Sequence, residues 1–188
     1  SIQNFKGLVH CEVDLEPGFN LLIGDNGKGK TSILEAASVA LGGFIAGIDH
    51  IPSKHIVESE IRVSSSSMGD GSFNQQFETP VSIYCCADVN GDEVKWTRQK
   101  NSVSASRTTV EPRDICKIAN AMSKNPQSVL PVLSYQSAAR AWMQKRDSSN
   151  KLFDTQFSRT LGYRSCLEEA TDSKSLLNWC AKMEQVSW

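Results

Sequence analysis

Nothing in this 188-residue chain approaches the ~20 consecutive apolar residues that span a bilayer. The start, Ser1-Ile2-Gln3-Asn4-Phe5-Lys6, also lacks the charged-then-apolar build of a signal peptide. These absences lead us to expect a cytoplasmic protein with no membrane partner. An excess of one charge is missing too: 20 basic side chains face 21 acidic ones, for a net charge of -1. There is thus no global basic field to hold nucleic acid, and any DNA contact must come from a local patch. The six cysteines include no CxxC pair and no closely spaced His, so neither a zinc site nor a disulfide scaffold is implied, and buried thiols in a reducing compartment are expected. His10, His50 and His55 have no metal-ligand spacing. No internal repeat is present. Ser1 in place of an initiator Met suggests a chain processed or cut from a longer protein.

What is there suits a packed core, with 39% hydrophobic and 22% charged residues. Ile2 to Val9, His10 to Leu15 and the apolar run Phe19 to Ile23 read as three short strands, the last two separated by the turn Glu16-Pro17-Gly18. Lys30 to Leu41 has helical apolar spacing and ends at Gly42-Gly43, a helix-stop signal. Glu58 to Ser67 and Gln75 to Ala87 read as strands, joined by a small, polar stretch that predicts a flexible loop at about 64–74. Val89-Asn90-Gly91-Asp92 predicts a tight hairpin turn between Val81–Asp88 and Glu93–Arg98. A polar linker is expected at about 99–110, a helix over Glu111–Lys124, a buried strand over Val129–Tyr135 and an amphipathic helix over Ser173–Gln185. Trp96, Trp142, Trp179 and Trp188 are expected to serve packing, with Trp142 alone, flanked by Arg140 and Lys145, offering a base-stacking alternative.

The chemistry is concentrated in Gly24-Asp25-Asn26-Gly27-Lys28-Gly29-Lys30-Thr31, which fits G-x-x-x-x-G-K-[ST] at every fixed position and is followed by Ser32. It sits between an apolar run and a helix, where the motif must sit to work. A phosphate chain carries several negative charges, and successive backbone N–H groups at a helix N-terminus surround them only if side chains leave the approach open. Gly24, Gly27 and Gly29 keep it open, Lys30 reaches the β- and γ-phosphates as a point charge, and the Thr31 hydroxyl is suited to the Mg²⁺ that bridges them. Ser32 is expected to help cap the helix. The implied cofactors are ATP and Mg²⁺, and the fold class is α/β, a mixed sheet around the phosphate-binding helix with an antiparallel β part and a helical C-terminal part.

The opening Ile2-Gln3-Asn4-Phe5-Lys6-Gly7, the segment Gly18 to Gly27 and the helix start Thr31-Ser32-Ile33-Leu34-Glu35-Ala36 together resemble the head domains of RecF, SbcC and SMC-like ATPases, relatives of the ABC transporter ATPases. Leu130 to Tyr135, with Arg140 and Trp142, and the stretch from Arg159 to Trp179 look like bacterial AAA-type ATPases of the Septu anti-phage kind. The resemblance implies that two heads sandwich ATP, so that a second copy and the C-terminal half of the same head become partners, with DNA and a nuclease as further ones. By position it implies that Asn26 to Ser32 hold phosphate and Mg²⁺, that Phe5 and Lys6 lie near the nucleotide, and that Gln136 is the Q-loop Gln sensing Mg²⁺ and the attacking water. A plain solvated Gln after a strand remains the alternative for Gln136.

Two parts of that pattern are missing. There is no Ser-Gly-Gly signature loop, and the acidic residue that should end a second apolar strand, before a catalytic Glu, has only Asp88 as a candidate. Asp88 reads better as a hairpin residue. The expectation is therefore that residues 1–188 are the N-terminal portion of a head, with negligible ATP hydrolysis alone. Two rival readings stay open. One is a self-contained P-loop kinase or GTPase, although no Asn-Lys-x-Asp motif supports guanine binding and Arg140, Lys145 and Arg146 make only a weak kinase lid. The other is a module that binds ATP without turning it over.

Overall fold

The computed structural model describes residues 1–68, 72–137 and 158–168. Strands β1 (Ile2–Phe5) and β2 (Leu8–Cys11) form a short hairpin, after which the chain runs to helix α1 (Lys30–Ile45). Strands β3 (Val63–Met68) and β4 (Ser72–Phe77) form a separate two-stranded hairpin, and β5 (Val81–Val89), β6 (Asp92–Lys100), β7 (Thr109–Glu111) and helix α2 (Asp114–Lys124) follow. The main sheet has the order β2-β1-β5-β6-β7, with every neighbouring pair antiparallel. The expected mixed α/β architecture with an antiparallel part is what forms.

β5 and β6 build the frame. Asn90 and Gly91 adopt φ values of 59° and 93°, the paired left-handed conformation that matches the twist of a two-residue hairpin. Val81, Ile83 and Cys85 then oppose Lys100, Arg98 and Trp96, so one face of both strands turns inward. Two core clusters result. Ile2, Phe5, Ile56, Ile61, Val81 and Ile83 pack on Ala36, Val39 and Ala40 of α1, whereas Phe44 and Ile45 join Trp96, Ile115, Ala119, Met122, Tyr163 and Leu167.

Several sequence expectations change. Gly42 and Gly43 do not stop α1, which continues to Ile45. They are there for close packing: a Cβ on Gly43 would stand 2.6 Å from Trp96 Nε1, and the Trp96 ring N–H donates to Ala40 O at 2.9 Å. The stretch Ser64–Ser67 is not loop tip but the middle of β3, paired in register with Phe73–Gln76. The linker over 99–110 is shorter than expected, because Lys100 belongs to β6, Thr109 begins β7, and Lys100 and Thr108 are buried. Val129–Tyr135 forms no strand; Val129 and Val132 are exposed, and Tyr135 alone of that run is buried. The expected third strand, Phe19–Ile23, has no β-pairing, with Phe19 89% and Ile23 84% exposed. A strand exists only through a partner, and no described strand reaches this one. The helix expected over Ser173–Gln185, and Arg140, Trp142, Lys145, Arg146, Trp179 and Trp188, lie outside the described residues.

Candidate nucleotide-binding site

The loop Gly24–Gly29 leads directly into α1. Gly27 and Gly29 take φ values of 79° and 87°, left-handed conformations that a residue with a Cβ enters only with strain, and Gly29 is the N-cap of the helix. The helix ladder begins where Ile33 N–H donates to Gly29 O at 2.9 Å. The N–H groups of the first turn, from Lys30 on, therefore have no helical carbonyl to meet and face outward with the positive end of the helix dipole. No heavy atom lies within 4 Å of where a Cβ on Gly24 or Gly27 would stand, so the loop backbone is open to a ligand. That opening and those donors fit a phosphate chain.

Lys30 folds back into the loop, its ammonium donating to Gly24 O at 2.6 Å and to Asp25 O at 2.7 Å. The charge is thereby held over the loop rather than loose in solvent. Lys28 N–H donates to Asp25 O at 3.4 Å, and the Lys28 side chain is exposed. Asn26 and Thr31 are exposed and Ser32 is half-buried, so the Thr31 hydroxyl is available for a metal-bound ligand. Ser32 does not cap the helix, since the cap carries no side-chain hydrogen bond. Among the described residues no three His, Cys, Asp or Glu side chains come together as a metal site. An Mg²⁺ here would instead take Thr31 Oγ1 from the protein and phosphate oxygens from the nucleotide.

Other expected site residues fall in different places. Phe5 is wholly buried under α1, in the cluster with Ala36 and Val39, so its side chain packs beneath the site and presents nothing to a ligand. Lys6 pairs with Glu35 of α1 at 2.5 Å, a partner that sequence reasoning missed because 29 residues separate them. Gln136 is exposed and donates to Ser134 Oγ at 2.5 Å. Its neighbour Tyr135 lies under the Lys54 ammonium, which donates to Ser38 Oγ at 2.8 Å. Ser38 is eight residues into α1, roughly 12 Å along the axis from Lys30. Asp88 is spent on its turn, accepting from Gly91 N–H at 2.9 Å.

The β1–β2 turn lies beside the loop and is hydrogen-bonded to the segment 60–62. Leu8 Cδ2 lies 2.9 Å from where a Gly29 Cβ would stand, so Leu8 packs against this glycine, which its φ requires. Lys6 N–H donates to Glu60 O at 2.7 Å, Arg62 N–H to Asn4 O at 3.0 Å, and the Arg62 guanidinium to Gly7 O at 3.2 Å. Burial pushes the Glu60 carboxyl above the usual range, although the Val57 N–H it accepts and the nearby Lys54 and Lys6 pull it down. Burial likewise lowers the His55 pKa, with Arg98, Arg107 and Lys100 adding repulsion, and Arg98 itself is pushed down to about 10 by burial.

The AAA domain family matches residues 1–185. This chain belongs to that family. Among curated proteins it is similar to the DNA replication and repair protein RecF of Vibrio campbellii, 34% identical over 113 residues, which are 59% of this chain and 30% of that protein. Against RecF of Vibrio vulnificus it is 37% identical over 84 residues, 44% of this chain and 22% of the relative. A second Vibrio vulnificus RecF is 60% identical over 35 residues, 19% of this chain and 10% of that protein. The chain thus spans about a third or less of the curated relatives it matches. The RecF- and SMC-like character expected from the residues is borne out, and the chain is a P-loop domain of an ATPase-type family. No helix among the described residues is long and apolar enough to cross a membrane.

Proposed function

We propose that the loop Gly24–Ser32 binds ATP with Mg²⁺, with backbone amides and Lys30 on the phosphates and Thr31 on the metal. The observation that carries this reading is the glycine loop with left-handed Gly27 and Gly29 opening onto the start of α1, with the Lys30 ammonium held over it. Bound Mg²⁺ would neutralise charge on the bridged phosphates, and the protein's part is to hold donors in place before the nucleotide arrives.

We further propose that the chain is the N-terminal half of a head whose hydrolytic residues come from the C-terminal half and from a second head. The exposed alternation Phe19, Leu21, Ile23 supports this, since these side chains and the unpaired backbone beside them suit a strand inserted into a larger sheet. In the assembled head Gln136 would approach the metal and water, and ATP would join two heads reversibly. The names of the relatives favour DNA maintenance over phage defence as the process served. Replacing Lys30→Ala should abolish ATP binding measured by calorimetry, with the thermal unfolding midpoint unchanged. Undiminished affinity would sink the site assignment.

A further inference from the structure

The ion pair between Lys6 and Glu35 joins the β1–β2 turn to the second turn of α1, and nothing in the phosphate chemistry assigned to the loop uses it. Glu35 follows Thr31 by four residues, so the two occupy one face of the helix. The Glu35 side chain is 9% exposed and that of Lys6 28%. A carboxylate buried that far is tolerated only with its partner in place, because removing the cation would leave a desolvated charge. Glu35 therefore holds the Lys6 ammonium on the α1 side of the turn.

The backbone around Lys6 carries the consequence to the loop. Lys6 holds a left-handed φ of 49°, and its N–H donates to Glu60 O. Two residues later Leu8 meets Gly29, the N-cap of α1 and the last glycine of the loop. Arg62 and Glu60 tie the turn to the segment 60–62, while the Lys6–Glu35 pair is the polar link that ties it to α1.

We propose that Glu35 is a positioning residue for the phosphate loop: by holding Lys6 it seats the Lys6-Gly7-Leu8 turn against Gly29 and keeps the loop in its anion-ready shape. This rests on the nucleotide reading of the loop. It gives Lys6 a part that acts through the turn.

The test compares the full chain with Glu35→Gln, Lys6→Met and the double variant, reading MgATP affinity by calorimetry and amide hydrogen exchange at 24–31. The β5 and β6 amides serve as internal control. Glu35→Gln should weaken MgATP about tenfold and speed exchange in the loop while β5 and β6 stay protected, and the double variant should be no weaker than the worse single one. Tighter binding by Glu35→Gln would mean that the carboxylate merely withholds Lys6 from the phosphates, and would overturn the proposal. So would fully additive losses, an unchanged loop, or faster exchange spread equally over β5 and β6. If the unsubstituted chain binds no MgATP, the nucleotide reading fails, and the exchange comparison still decides whether Glu35 seats the loop.

Discussion

The two ends of α1 use glycine in opposite ways. At its start, Gly27 and Gly29 sit at positive φ, and their value lies in backbone shape, with open space beside Gly27. Beyond its other end, Gly47 faces α2 so closely that a Cβ would stand 2.2 Å from Cys116 O, and Gly43 lies under Trp96. There the value is the absence of volume. One end is where we propose a ligand binds and the other welds helices and sheet together, so on that proposal stability and binding should separate by position along a single helix.

The largest expected effect is at the welded end. Gly47→Ala sets a methyl group against the backbone of α2, which cannot rotate away as a side chain would, and should cost about 3 kcal/mol of stability. Urea unfolding would measure it, with MgATP affinity unchanged under conditions where the variant remains folded. A loss under 1 kcal/mol would show that α2 is free to shift, and the contrast between the ends would weaken. Gly29→Ala tests the other end. Its φ of 87° and the Leu8 methyl beside it predict a smaller stability cost of about 1–2 kcal/mol, together with at least tenfold weaker MgATP binding. If stability fell with affinity intact, the loop glycine would be a packing glycine like Gly47.

Behind the welded end, β6 carries a third kind of site. Arg98 is wholly buried and donates to Ser53 Oγ at 3.2 Å and to Lys54 O, while His55 accepts from Thr108 N–H through Nδ1 at 3.2 Å. Because the folded His55 pKa lies below 6.5, the unfolded chain binds a proton more readily than the folded one. That contribution is fully present above pH 6.5 and is lost as pH falls through the depressed folded value. The unfolding midpoint should therefore drop between pH 7 and pH 5, and His55→Asn, which can still accept from Thr108, should flatten this part of the profile. An identical slope in the variant would assign the acid sensitivity elsewhere, with the buried Glu60 ruled out by sign, since its raised pKa favours the folded state at low pH.

What the sequence makes legible follows from how local each cause is. The phosphate loop and the Asn90-Gly91 turn are written in neighbouring residues, so their conformations could be read directly. Gly42-Gly43 misleads because its reasons are distant, Trp96 more than fifty residues on for Gly43 and Ser53 and Lys54 for Gly42, whereas a helix stop is the local meaning of the same pair. Ser64–Ser67 misleads because serine has weak strand preference, and only pairing with β4 makes it a strand. Phe19–Ile23 shows the reverse, a run with strand composition and, among the described residues, no strand to join. In the candidate site, Lys30 and Thr31 are proposed from spacing alone, whereas Glu35, Leu8 and Arg62 enter through contacts that no short motif records.

The smallest effect concerns Asp88, whose sequence position allowed both a structural and a catalytic reading. Its carboxylate accepts from Gly91 N–H across an exposed turn, opposite Glu93 in the strand register. A solvent-exposed hydrogen bond of this kind contributes about 1 kcal/mol or less. Asp88→Ala should lower the unfolding free energy by that amount and leave MgATP affinity within about twofold, because nothing in the turn connects it to the loop at the start of α1. An Mg²⁺-dependent loss of affinity in this variant, absent when nucleotide is titrated without metal, would instead make Asp88 a metal partner. The β5–β6 hairpin would then belong to the receiving end of the molecule rather than to its frame.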